Sequence, residues 1–183
     1  MNKSTLLSLS KLDFVGFDVP NEILEKKIHA LHKAYKTKDW GLFFMLLSPQ
    51  SQFLAFIAIE NELTDEEYWK FLREVLTSET YNAMIFDYTW YLLENPKRDL
   101  SQRYQMMNKI ELEKFKNINS ATLYRGCIKR FILGFSWTLK KEVADFFFTR
   151  HHGTTRYLLE AEFDIKDAYG YFQTIDTDKD FEE

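Results

Sequence analysis

From Asn21 onward, apolar residues at Leu24, Ile28, Leu31 and Tyr35 follow the 3.6-residue period of an amphipathic helix, with Asn21 placed to cap it. Asp39 can cap a second helix, Gly41 to Leu47. It should stop before Pro49, because the residue preceding a proline disfavours the α region. The stretch from Ser51 to Glu60 is apolar enough to be buried throughout. Thr64 followed by Glu67 forms a capping box, and the helix it opens carries Tyr68, Phe71, Leu72, Val75 and Leu76 on one side. A further helix is expected from about Glu79 to Glu94, ending before Pro96. Asp99 with Gln102 opens another towards Lys116. Residues 1–119 therefore read as a helical lobe.

After Asn119 the texture changes. Ala121 to Tyr124 and Phe131 to Trp137 are short, apolar or aromatic, and bounded by glycines, as strands are. Thr138 can cap a helix from Leu139 to about Arg150, with Leu139, Val143, Phe146 and Phe147 on one side. From Tyr157 the alternation is strict: Tyr157, Leu159, Ala161, Phe163 and Ile165 face one way, while Glu160, Glu162 and Asp164 face the other. The expected class is α+β, a helical N-terminal lobe (1–119) followed by a small β core (120–183), the two forming one compact unit.

Composition adds limits. With 183 residues, 45% hydrophobic and 17% aromatic, the chain can bury a sizeable, ring-rich core. A net charge of -4 and a pI near 5.7 supply no general attraction to nucleic acid or anionic membrane, and no basic run supplies a local one. The single cysteine, Cys127, excludes an internal disulfide framework and a cysteine zinc site, and fits a reducing cytosol. The Leu6-Leu7 patch is too short for a secretory signal. No apolar run approaches the roughly 20 residues of a membrane span. A cytoplasmic protein is expected.

The candidate chemistry gathers between Leu123 and Arg150. Arg125 ends an apolar strand run, Ser136-Trp137-Thr138 ends the next, and an amphipathic helix follows. Together they make an electropositive, hydroxyl-lined corner suited to a nucleotide diphosphate. Plain structural roles are also open: Arg125 as partner of a surface carboxylate, Ser136 and Thr138 as strand and cap residues, and Trp137 and Phe147 as core. Other constellations are weaker. His151 and His152 beside Glu160 and Glu162 lack the helical spacing of a metal motif, and His29 and His32 are an i,i+3 pair without further ligands, so no metal site is expected. Cys127 has no histidine placed to activate it. No glycine pattern gives a dinucleotide fingerprint or a P-loop.

In order and approximate spacing, Tyr124-Arg125-Gly126, Ser136-Trp137-Thr138 with its following helix, and Asp180-Phe181-Glu182-Glu183 resemble the Arg, Ser-Thr-Ser and Glu-x-Glu motifs of mono-ADP-ribosyltransferases of the cholera-toxin-like class. The phrases Tyr-Arg-Gly and Gly-Phe-Ser-Trp-Thr are also similar to a group of small bacterial and phage proteins of that fold. The likeness covers roughly the last third of the chain. It implies a split, mixed β core with NAD, as substrate, in the cleft between two small sheets, a bacterial or phage-infected host cytosol as the setting, and a macromolecular acceptor, protein by default.

The resemblance also implies residue roles. Glu182 would accept a hydrogen bond from the ribose 2′-hydroxyl and stabilise the oxocarbenium-like transition state formed as nicotinamide leaves. Arg125 would bind the pyrophosphate or ribose through its planar fork. Gly126 would leave main-chain amides open to the nicotinamide carboxamide. Ser136 would support the carboxylate or ribose, Thr138 would cap the helix and brace the strand, and Tyr124 and Phe147 would line the nucleotide; one aromatic near the cleft, with Trp137 and Phe147 both open, would stack on nicotinamide. In the terminal motif Asp180 and Glu182 share a strand face, while Glu183 pairs with Phe181, so the choice between Glu182 and Glu183 stays open. Capture of the same oxocarbenium by water would make the chain an NAD glycohydrolase. A non-catalytic interaction module is the reading from another class, and exposure of Trp40, Tyr68, Trp69 or Trp90 would favour it.

Overall fold

The structure, a computed structural model, describes residues 1–77, 86–150 and 155–173. The chain is α+β and mostly helical, in two compact units, Met1–Asn82 and Ala83–Glu183. The change of texture at 119/120 therefore lies inside the second unit rather than between the two.

The first unit is built from α1 (Lys3–Leu12), α2 (Asn21–Thr37), α3 (Trp40–Met45), α4 (Pro49–Ile59) and α5 (Asp65–Thr77). Helix α1 was not expected from the sequence. Asn2 caps it by accepting the Thr5 N–H at 2.9 Å, and Leu6 and Leu9 carry its buried side. Helix α2 buries Ile28, Leu31 and Ala34, while Leu24 and Tyr35 of the expected stripe are half-buried. Asn21 is the first helical residue and Pro20 takes the cap position, its carbonyl accepting the Ile23 N–H at 3.0 Å and the Leu24 N–H at 3.3 Å. Asp39 caps α3 through the Leu42 N–H at 3.1 Å. The capping box of α5 is present in both directions, Thr64 N–H to Glu67 at 2.9 Å and Glu67 N–H to Thr64 Oγ1 at 3.3 Å. Rings fill the interior: Phe44 stacks on Phe71 at 4.8 Å, and Phe56 lies tilted against Tyr68 at 5.1 Å. Trp40, Tyr68 and Trp69 are buried in this core, which removes three of the four aromatics considered for a docking face. Asp13, at the end of α1, has a side chain only 3% exposed. It joins α1, α2 and α4 by pairing with Lys27 and accepting from Ser48 Oγ.

The second unit contains α6 (Phe86–Leu93), a 3-10 stretch Leu100–Met106, α7 (Lys109–Lys116), β1 (Ser120–Ile128), α8 (Lys141–Arg150) and β2 (Arg156–Asp164). The helix expected between Asp99 and Lys116 breaks at Met107. There Asn108 starts a new capping box, accepting the Glu111 N–H at 3.0 Å while Glu111 accepts the Asn108 N–H at 2.8 Å. Strands β1 and β2 pair antiparallel over their full length, from Ser120 opposite Asp164 to Ile128 opposite Arg156. The alternation from Tyr157 to Phe163 is observed as a half-buried face with exposed residues between. Among the described residues the sheet has these two strands, extended on the far side of β1 by a single bridge between Tyr124 and Thr138.

The strand expected over Phe131–Trp137 is not formed. The chain leaves β1 through a 3-10 turn at Lys129–Phe131, closes a turn with Gly134 N–H on the Phe131 carbonyl at 3.0 Å, and regains extended pairing only at Thr138. The carbonyls a ladder would have used are taken by a side chain described below. Helix α8 begins at Lys141, two residues later than expected. Thr138 Oγ1 accepts the Lys140 N–H at 3.1 Å, in the turn before the helix. Its buried residue is Ala144, not Phe146 or Phe147, which are 50% and 41% exposed.

Candidate functional site

Strand β1 organises the corner that the sequence singled out. Tyr124 is bonded both ways to Thr138: its N–H reaches the Thr138 carbonyl at 2.8 Å, and Thr138 N–H returns to the Tyr124 carbonyl at 2.9 Å. Tyr124 and Thr138 thus lie side by side although fourteen residues separate them.

Arg125 projects to the opposite side of β1 from Gly126, into the loop that joins β1 to Thr138. Its Nε donates to the Phe131 carbonyl at 3.2 Å and its Nη1 to the Ser136 carbonyl. The guanidinium lies flat against Gly134, where a Cβ would collide with Nη2 and Cζ. The planar fork thereby bridges both ends of a six-residue loop. The guanidinium is thus engaged with the main chain of this loop. Trp137 seals the same loop, donating from Nε1 to the Gly134 carbonyl at 3.1 Å and packing on Phe163 of β2 at 5.1 Å. Ser136 itself is exposed.

Gly126 faces α8. A Cβ there would overlap the carbonyl oxygen of Ala144 and the amide nitrogen of Phe148, and would stand 3.0 Å from the Ala144 carbonyl carbon. The missing side chain lets the helix backbone lie directly on the strand, so this face of Gly126 is covered rather than open to a ligand. Phe147 sits on the exposed side of α8, edge-on to Phe146 at 5.5 Å. Arg156 of β2 closes the C-terminal end of α8 by donating to the Phe148 and Thr149 carbonyls at 3.4 Å, with its guanidinium 4.9 Å from the Phe148 ring centre.

The structure therefore brings together Tyr124, Arg125, Gly126, Ser136 and Thr138 around one strand, and places Phe147 on the solvent side of the neighbouring helix. Asp180, Glu182 and Glu183 lie outside the described residues, as do His151 and His152. Among the described residues no three His, Cys, Asp or Glu side chains are grouped to hold a metal ion, and no helix is long and apolar enough to cross a membrane. Beside this corner, a shallow groove of about 450 Å³ runs along α7, lined by Ile110, Lys114, Asn117, Ile118, Leu139 and Tyr171 among others.

Sequence reasoning missed the segment that contributes Tyr171 to this groove. Residues Lys166 to Gln173 run back across the 3-10 stretch and α7. The buried carboxylate of Glu111 accepts the Gln173 N–H at 2.7 Å. The single helix expected from Asp99 towards Lys116 left no place for the Asn108-x-x-Glu111 capping box, and the Gln173 partner of that carboxylate comes from 62 residues away and leaves no local pattern. No protein-family model, no curated protein and no solved structure matches the chain.

Proposed function

We propose that the chain is an NAD-dependent mono-ADP-ribosyltransferase acting on a protein acceptor, with Ser136 and Glu182 at its reacting centre. The observation that supports this reading is the convergence on β1: Tyr124 pairs with Thr138, and the Arg125 guanidinium holds the Ser136 carbonyl. Two of the three motifs of the resemblance thus share one strand edge, in the order the resemblance implies.

The geometry revises the division of labour within that reading. Arg125 acts first as the organiser of the 131–136 loop, fixing where Ser136 stands, and Gly126 serves the close approach of α8. Ser136, exposed beside them, is free to meet the substrate ribose or the catalytic carboxylate. Cleavage of the glycosidic bond to nicotinamide builds positive charge on the ribose, and a carboxylate hydrogen-bonded to the 2′-hydroxyl is strongest at that moment. Glu182 takes this role by its place in the terminal motif. Nicotinamide leaves as a neutral molecule, so the bond breaks without a metal to stabilise the leaving group. An acceptor nucleophile then captures the ribose carbon and yields its proton to solvent; capture by water gives glycohydrolysis instead.

A second reading is favoured by one observation. Trp90 is 56% exposed and stacks on Phe135 at 5.8 Å, with Tyr88 and Tyr91 paired at 5.3 Å on the same helix. Exposed aromatic clusters of this kind anchor protein–protein interfaces, as a non-catalytic interaction module would require.

Nicotinamide release from NAD by the purified protein, alone and with cell lysate, tests the two. Release that falls at least about 100-fold in Glu182→Gln, with label from the ADP-ribose half appearing on a lysate protein, supports the transferase. Release without labelling supports glycohydrolysis. No release from a folded protein sinks the enzymatic reading, and loss of lysate-protein binding in Trp90→Ala would then support the module.

A further inference from the structure

Among the described residues, strand β2 is paired along one side only, by β1. The phase of that pairing is fixed by the bonds at its two ends. Ile165 N–H reaches the Asn119 carbonyl at 2.9 Å, and Lys129 N–H reaches the Thr155 carbonyl at 3.3 Å. Bonded and unbonded positions alternate in an antiparallel pair, so the odd-numbered residues of β2 commit their main-chain groups to β1. Leu158, Glu160 and Glu162 turn theirs outward. On β1 the same alternation turns Tyr124 outward, and there Thr138 takes up its N–H and carbonyl, at 2.8 and 2.9 Å. Among the described residues no main-chain bond does this for Leu158, Glu160 or Glu162.

An edge of this kind is a template for another strand unless it is shortened, bulged or broken by proline. β2 has none of those defences: its nine residues hold an unbroken register with β1 and include neither proline nor glycine. Helix α8 lies on the face of the sheet that carries Gly126 and is tied to the start of β2 through Arg156. Further along the strand the exposed positions are Glu160, Glu162 and Asp164.

Charge decides what can pair there. Asp164 is bridged to Lys166 at 2.7 Å. Glu162 accepts from the neutral Thr122 hydroxyl at 2.6 Å, and Glu160 has no hydrogen-bond or ion-pair partner among the described residues. Two carboxylates without a cation thus stand at alternate positions, with the apolar side chain of Leu158, 38% exposed, two residues before them. Full-length antiparallel pairing with a second copy of the chain would set Glu160 opposite its own counterpart, and like charges directly opposite are destabilising. A strand with lysine or arginine opposite Glu160 and Glu162 instead gains both cross-strand pairs along with the main-chain bonds.

We propose that the outer edge of β2 is a docking site for an extended, basic segment of a partner protein, which adds as an antiparallel strand. Read from its N-terminus, the segment carries Lys/Arg-x-Lys/Arg-x-apolar as it passes Glu162, Glu160 and Leu158. Its basic and apolar residues lie opposite the outward-turned positions, so they also supply the bonded N–H and C=O groups. The site stands whether or not the chain transfers ADP-ribose.

The test uses the full chain and a capped peptide, acetyl-Thr-Lys-Thr-Lys-Thr-Val-Thr-amide, followed through backbone amide resonances and amide exchange. In the free protein, exchange should be fast at Leu158, Glu160 and Glu162 and slow at Leu159, Ala161 and Phe163. Slow exchange in both sets would show the edge already paired, within the chain or by a second copy, and would overturn the proposal. The peptide should shift and protect the first set, with a Kd of about 0.1–1 mM. Methylating the two lysine main-chain nitrogens should weaken binding at least about tenfold, while methylating the two threonine nitrogens that follow the lysines should change it less than about threefold. Glu160→Gln combined with Glu162→Gln should weaken binding about tenfold and leave the melting temperature unchanged, since both side chains are exposed. Equal binding by the lysine-methylated peptide means charge attraction without strand addition and overturns the proposal. So does equal binding by a peptide with glutamate in place of lysine, a shift confined to other residues, or no binding at millimolar peptide.

Discussion

Replacing Gly126 by alanine tests whether this glycine is kept for helix packing. The new methyl group would point into the backbone of α8, overlapping the Ala144 carbonyl oxygen and the Phe148 amide nitrogen. Both obstacles are main-chain atoms within a regular helix, so no side-chain rotation relieves the clash and α8 must retreat by about 1 Å or more. A gap of 0.5–1 Å already forfeits a quarter to a half of each lost contact, and overpacking of this kind costs about 1–3 kcal/mol. With a urea dependence of about 2 kcal/mol per molar, the midpoint of the second unit should fall by about 1 M. Urea titrations followed by tryptophan fluorescence and far-ultraviolet circular dichroism would measure it. Gly41→Ala is the control. A Cβ there meets only Asp39 Oδ1, at 3.8 Å, and alanine in a helix should stabilise by about 0.5–1 kcal/mol. A Gly126→Ala midpoint within about 0.2 M of wild type would refute the packing argument and return Gly126 to the role of an open ligand contact.

Three other outcomes are expected. Burial pushes the Asp13 carboxyl up, but the hydrogen bonds from Lys27, Ser48 and Ser51 outweigh it, so the group titrates below its ordinary 3.8; its contribution to stability is therefore complete above that pH and disappears as the pH falls through the lowered value, and Asp13→Asn should flatten this acid-side slope in denaturation curves taken from pH 5 to 2. Tyr35 is pushed up to about 12, chiefly by its hydrogen bond to Glu62, and the stability this provides is full below pH 10 and lost towards pH 12; ultraviolet titration should show the late-ionising tyrosine vanish in Tyr35→Phe, and its persistence would place the shift elsewhere. Arg125→Ala should destabilise the second unit by about 1–3 kcal/mol, since the Ser136 carbonyl loses its guanidinium donor and the Phe131 carbonyl keeps only the Gly134 N–H, whereas Glu182→Gln should leave the melting temperature unchanged; equal stability of Arg125→Ala and wild type would remove Arg125 as the loop's organiser.

What the sequence determined by itself was whatever depends on neighbours a few residues apart. The stripe at Ile28 and Leu31, the capping box from Thr64 to Glu67, the Asp39 cap and the alternation from Tyr157 to Phe163 are local, because helix and strand periods and cap hydrogen bonds span at most one or two turns. The α+β class follows from those pieces, and the gathering of Tyr124, Arg125, Ser136 and Thr138 was legible because their motifs lie close in sequence. The tertiary structure decided the rest. Phe131–Trp137 has the composition of a strand, but the Arg125 guanidinium takes the carbonyls a ladder would need, a competition visible only once the loop is folded. Phe146 and Phe147 look like core residues, yet Gly126 draws the Ala144 side of α8 onto the sheet and leaves the rings outside. Glu111 falls inside the one helix expected from Asp99 towards Lys116, and its bonds to the Asn108 and Gln173 amides are made only in the folded chain. Contacts between distant segments are set by how whole faces pack and which polar groups burial forces to pair, and no short window of sequence carries that information.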